Sequence, residues 1–217
     1  MNENLTEIVA ILDRSGSMEH LTNDTIGGFN SFLKEQKELP GDAILTTVLF
    51  NDSYMLLHDR INIKNINPIT KKDYIAQGST ALLDAMGKTI SSIGLKLHNT
   101  PEDERPCNVI VFIITDGEEN ASEEYTQEKV KKMVELQQNT YSWKFIFLGA
   151  NIDSFSAAAS MGVSQDFAFD FEAEDKGMVD VQMAMSEAVG NLRRFNAIDA
   201  PGAPDFRQKL KKPKDKK

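Results

Sequence analysis

Apolar positions along this chain fall into two kinds of run. The first are short, unbroken and rich in β-branched residues: Ile8, Val9, Ile11 and Leu12, then 43–50, and above all NVIVFIIT over 108–115. Such runs predict strands buried on both faces, as in a parallel sheet. The second kind recurs every three or four residues and predicts amphipathic helices. Helix 22–39 shows Ile26, Phe29 and Leu33 on one face and stops at Pro40-Gly41. Gly27 and Gly28 inside it cost about 1 kcal/mol each relative to Ala, which suggests close approach to the sheet or to the loop after the first strand. Helix 82–97 presents Leu83, Met86, Ile90, Ile93 and Leu97, and helix 126–139 presents Val130, Met133, Val134 and Gln137. Helix 174–195 presents Met178, Val181, Met185, Ala188, Leu192 and Phe195; at that spacing the methionines read as core packing rather than a binding groove.

Weaker signals fill the gaps. A strand at 53–61 follows 43–50 after only Asn51-Asp52, so the pair reads as an antiparallel hairpin. Residues 62–77 form an irregular connection with room for one helical turn. A strand at 143–148, a loop at 149–153, a short helix at 154–161 and a short strand at 166–169 complete the series. Strands separated by helices imply right-handed crossovers. The expected fold is therefore α/β: a doubly wound, Rossmann-like, mostly parallel six-stranded sheet with one antiparallel edge strand and helices on both faces. Ligands of such sheets bind beyond the C-terminal strand ends, where the strand order reverses.

Composition narrows the class. A chain of 217 residues with 41% apolar content fits one domain, 1–198, followed by a tail, 199–217. No run approaches the roughly 20 apolar residues of a membrane helix, and MNENLTEI lacks the basic and apolar regions of a signal peptide. Cys107 is the only cysteine, which excludes an internal disulfide and a thiolate metal cluster and reads as a packed thiol. A cytoplasmic protein with no membrane partner is expected. Residues 206–217 carry seven Lys/Arg against one Asp; taking that +6 from the net −9 leaves −15 on 1–205. An acidic body repels phosphates, so no nucleic-acid partner is expected, and the basic tail reads as solvated and disordered.

The chemistry lies where the strands stop. The first run ends at Asp13, with Ser15 and Ser17 following at alternate positions, so three hard oxygens can face one point. Hard oxygens in a loop suit Mg²⁺ or Mn²⁺. The run 108–115 ends at Asp116, followed by Gly117. If the two strands are neighbours, their carboxylates meet and repel, and a divalent cation relieves the repulsion. Between them in sequence Gly78-Ser79-Thr80 opens a helix, where Thr80 offers another hydroxyl, or where Ser79 or Thr80 caps the helix.

These three segments, DRSGS at 13–17, GST at 78–80 and TDG at 115–117, resemble the metal-ion-dependent adhesion site of von Willebrand factor type A domains. The resemblance covers about residues 5–195 and is closest to bacterial, intracellular members. It implies a Mg²⁺ (or Mn²⁺) held by Asp13, Ser15, Ser17, Thr80 and Asp116, the carboxylates binding directly or through water. It also implies an open coordination position for a carboxylate supplied by a partner protein. Gly16, Ser79, Asp84, Gly117 and Glu118 stand around these five as supporting or rim residues. Two departures are visible: Gln77 precedes GST where many relatives have a second glycine, and Arg14 follows Asp13, where its charge can steer an anion.

Each residue also has an ordinary reading. Ser15 and Ser17 can cap the next helix, and Asp116 can serve a turn before Gly117. Asp84 either reaches back toward the site or favours the first turn of its helix. Glu118, Glu119, Glu123 and Glu124 read as solvated rim charges. His20, His58 and His98 form no triad or zinc pattern, and His20 alone lies near the loop. The expected function is a metal-dependent binding module with no enzymatic activity. The alternative is Mg²⁺-dependent phosphoryl transfer with Asp13 as nucleophile, which usually wants a second acid two residues on, where Ser15 stands. A serine hydrolase lacks its Gly-x-Ser-x-Gly elbow and a placed histidine. A vestigial site fits poorly with five intact ligands.

Overall fold

Six strands form one sheet in the order β3-β2-β1-β4-β5-β6. They are β1 (Asn2–Asp13), β2 (Asp42–Phe50), β3 (Tyr54–Asn62), β4 (Pro106–Thr115), β5 (Lys144–Ala150) and β6 (Ala168–Phe171). The helices are α1 (Thr22–Glu38), α2 (Leu82–His98), α3 (Gln127–Tyr141), α4 (Ser154–Ser160) and α5 (Asp175–Phe195). The computed structural model describes residues 1–150, 153–171 and 175–195, and for 165, 170, 171 and 175–182 the backbone only. The expected tail at 199–217, part of the loop at 149–153, and the Met178 and Val181 side chains lie outside what is described.

All neighbouring strands are parallel except β2 and β3, so β3 is the antiparallel edge. The alternation in β1 divides the core. Ile8, Ala10 and Leu12 pack with Phe29, Phe32 and Leu33 of α1 and with Ala184, Met185, Ala188 and Leu192 of α5. Val9 and Ile11 pack on the other face with Met86, Ile90 and Ile93 of α2 and Val130 and Val134 of α3. The first crossover, through α1, therefore covers one face and the next, through α2, covers the other. The strand order reverses between β1 and β4, and the two strand ends carrying Asp13 and Asp116 are neighbours.

The structure moves several expected boundaries; β5, for one, runs on to Ala150, into the expected loop at 149–153, and α3 runs on to Tyr141. β1 starts at Asn2, well before its apolar run, because the Asn2 N–H donates to Arg105 O at 2.7 Å and Asn2 pairs with Pro106. The last strand is Ala168–Phe171 rather than 166–169, since Gln165–Phe167 is a 3₁₀ turn. A further 3₁₀ turn, Gly16–Leu21, joins β1 to α1. The register of β3 is interrupted beside Thr47, and Arg60 takes φ 51° there. Its guanidinium reaches over to make a bidentate pair with the buried Glu7, at 2.9 and 3.0 Å. Among the described residues no helix is long and apolar enough to cross a membrane.

Candidate metal centre

The apolar run of β1 carries Asp13 into the crevice with no exposed surface. Its Oδ1 accepts the Ser15 N–H at 2.6 Å and its Oδ2 accepts the Thr115 hydroxyl at 2.6 Å. Burial pushes its pKa up to about 6 despite these bonds, and the charge of Asp116 adds to the rise. The Ser15 and Ser17 hydroxyls lie 3.1 Å apart, and Ser17 donates to Asp116 Oδ1 at 2.6 Å. Burial raises Asp116 as well. A Cβ added at Gly117 would stand 2.9 Å from Thr80 Oγ1 and 3.5 Å from Ser17 Oγ, so Thr80 closes the same cluster from the α2 side. Asp13, Ser15, Ser17, Thr80 and Asp116 are thus brought together, and all but Ser17 are buried.

The donors are neutral hydroxyls and two carboxylates. No Lys or Arg forms an ion pair with either acid among the described residues; His20, whose Nδ1 lies 2.7 Å from Ser17 O, is the one basic group that lowers Asp116. Two desolvated carboxylates that no Lys or Arg pairs among the described residues, beside three hydroxyl oxygens, are a donor set that fits a hard divalent ion. No group of three or more His, Cys, Asp and Glu that could hold a metal occurs among the described residues, as expected when most donors are hydroxyls.

Backbone bonds hold the loops together. Gly16 N–H donates to Gly78 O at 2.9 Å, and Gln77 N–H donates to Arg14 O at 2.9 Å. Gly78 takes φ +77°, and a Cβ there would meet Asp52 Oδ2 at 2.7 Å, so the turn requires glycine. Asn51 spends all its polar groups here: its side chain bonds Gln77 O and Ser53 N–H, and its carbonyl accepts from Ala81. The buried Tyr74 hydroxyl donates to Asp13 O.

Several rim expectations are corrected. Neither Ser15 nor Ser17 caps a helix through its side chain, and neither Ser79, which is exposed, nor Thr80 caps α2. The cap comes from the loop after β4: Glu119 accepts the Leu83 N–H at 2.8 Å and Ser122 Oγ accepts the Asp84 N–H at 3.0 Å. Glu119 also accepts from Ala121 and Ser122, so it is a bound loop anchor, while Glu118 and Glu123 are exposed and Glu124 pairs with Lys88. Asp84 does not reach back to the cluster. Its carboxylate accepts N–H groups of Glu123, Glu124 and Tyr125, which outweigh its burial and lower its pKa. Asn51, Tyr74, Glu119 and Asn120 are the supports that sequence reasoning missed. Asn51, just past a strand end, carried the only local signal.

The fold is that of von Willebrand factor type A domains. Solved structures that share it include proximal thread matrix protein 1 from the mussel byssus, determined with a zinc-occupied MIDAS motif. It is 13% identical, with TM-score 0.58 over 85% of this chain and 46% of that one. The ArnB paralog VWA2 from Sulfolobus acidocaldarius is 16% identical, with TM-score 0.55 over 87% and 45%. A von Willebrand factor type A structure from Catenulispora acidiphila is 11% identical, with TM-score 0.55 over 86% and 43%. The chain thus spans less than half the length of these structures, and at such identities the likeness is one of fold. No family model matches the sequence, and no curated protein does.

Proposed function

We propose that this chain is a divalent-metal-dependent protein-binding module whose cation is Mg²⁺ or Mn²⁺. The observation that carries the reading is the pair of buried carboxylates, Asp13 and Asp116, facing three hydroxyls with no Lys or Arg paired to them among the described residues. Ser15, Ser17 and Thr80 hold the ion with Asp13 and Asp116, directly or through water. Neutral hydroxyls quench little of its charge, so the ion offers a Lewis-acidic position to an incoming carboxylate of a partner protein. Arg14 and His20 steer that anion, and the exposed Glu118 favours partners with a basic residue beside it. Beside Gly117 a cavity of about 390 Å³, lined by Leu82, Phe147 and Met161 together with Glu118, Glu119 and Asp153, gives the partner a mixed apolar and acidic seat. The module is cytoplasmic, occupies 1–198, and needs neither nucleic acid nor membrane.

Catalysis by Asp13 is the weaker reading, because both its oxygens already accept hydrogen bonds and it is fully buried. A pull-down with the full chain in Mg²⁺ and in EDTA tests the proposal. Partners retained in Mg²⁺, released by EDTA and lost with Asp116→Ala support it, together with no turnover in a phosphatase screen. Retention indifferent to EDTA, or turnover abolished by Asp13→Asn, sinks it.

A further inference from the structure

Thr80 reaches the cluster from a loop whose other ties belong to its neighbours: Gln77 and Gly78 bond the loop after β1, and Ala81 bonds Asn51. Both peptide groups of Thr80 itself are taken by a single residue. Its N–H donates to Asn120 Oδ1 at 2.9 Å, and its carbonyl accepts the Asn120 N–H at 3.0 Å. Asn120 is exposed, so packing does not explain an asparagine there. It stands in the segment 117–125 that directly follows Asp116. That segment is fixed on the first turn of α2 by Glu119, Ser122 and Asp84. Asn120 therefore sits in a segment bonded to α2, and its amide splints the one cluster residue that lies neither on nor just after β1 or β4.

We infer that Asn120 is a positioning residue for the cation centre: it fixes the Thr80 peptide so that the Thr80 hydroxyl stays beside Gly117, and so sets metal affinity. This rests on the proposed metal-binding function. A group that orients a ligand without touching the ion commonly changes affinity by about 10–100-fold when removed. The side chain also ties two ligand-bearing loops together, since the loop bearing Asp116 continues into the residue that holds Thr80.

The test is Mn²⁺ binding to the full chain by titration calorimetry, with Thr80 amide hydrogen exchange in EDTA, for wild type, Asn120→Ala and Asn120→Asp. Asn120→Ala binds Mn²⁺ at least about tenfold more weakly, its Thr80 amide exchanges faster, and its melting temperature in EDTA is unchanged. Asn120→Asp, which keeps an oxygen in place, restores both slow exchange and affinity. Wild-type affinity in Asn120→Ala, unchanged Thr80 exchange, or no recovery in Asn120→Asp overturns the inference while the metal centre stands. No Mn²⁺ binding by the wild-type chain removes the centre and this inference together.

Discussion

Asp13 ends β1 without exposed surface and, among the described residues, without an ion-pair partner, and the cost of ionising it there has a definite sign. An acid whose pKa is near 6 in the fold and 3.8 in the open chain binds its proton more tightly when folded. Metal-free protein therefore gains stability as pH falls from about 6 toward 4 and loses it on the way back, by roughly 2–3 kcal/mol at most from this residue. The expected result in EDTA is a wild-type advantage at pH 5 over pH 7 that is reduced in Asp13→Asn. Bound cation removes the same cost, so Mg²⁺ stabilises more at pH 7 than at pH 5. Denaturant melts at the two pH values check both, and parallel pH slopes for wild type and Asp13→Asn contradict them. Tyr74→Phe, which removes the donor to Asp13 O, costs about 1–2 kcal/mol by the same measurement. At this scale the five clustered residues were legible, because each lies at a strand end or helix start marked by its neighbours. Asn120 and Glu119 were not: each acts on a partner more than thirty positions away, and no periodicity marks it.

The loops that join strand to helix set where those oxygens stand. Two glycines separate stability from binding. Gly78→Ala forces a side chain into φ +77° and against Asp52 and Asn51, and lowers stability by about 1–3 kcal/mol in urea melts. Gly117→Ala meets the end of a side chain, Thr80 Oγ1 at 2.9 Å, which turns aside. It costs little stability and weakens Mn²⁺ binding more than Gly78→Ala does relative to its stability loss; equal ratios in the two variants contradict this. The long apolar run of β4 and the stripes of α1 and α2 were readable in the chain because burial imposes their periods. The start of β1 was not, since Asn2 to Leu5 pair at the sheet's rim without entering the core. The cap of α2 leaves no local sequence signal for a related reason: Glu119 and Ser122 supply it across space, and neither Ser79 nor Thr80 caps the helix through its side chain.

Across the whole molecule, the sheet order does the decisive work. Placing β1 between β2 and β4 sets the two aspartates side by side, and the two-sided core keeps the strand ends rigid. Fold and site are separable within that frame. Phe112, fully buried in β4 with its ring edge-on to Phe32 at 5.1 Å, faces α1 well below the crevice. Phe112→Ala costs about 3–5 kcal/mol but leaves Mn²⁺ affinity unchanged while the chain is folded. The doubly wound class, the edge strand and the switch point were all implied by the order of apolar runs. The bond network over the rim was not, because it depends on loop conformations that no pattern encodes. The most direct measurement of the central claim is the Mn²⁺ stoichiometry and affinity of wild type beside Thr80→Val, which exchanges one hydroxyl for a methyl of the same shape. One ion per chain, bound at least about tenfold more weakly by the valine variant, is the predicted result. An ion held equally well without that hydroxyl, or no ion at all, contradicts the account.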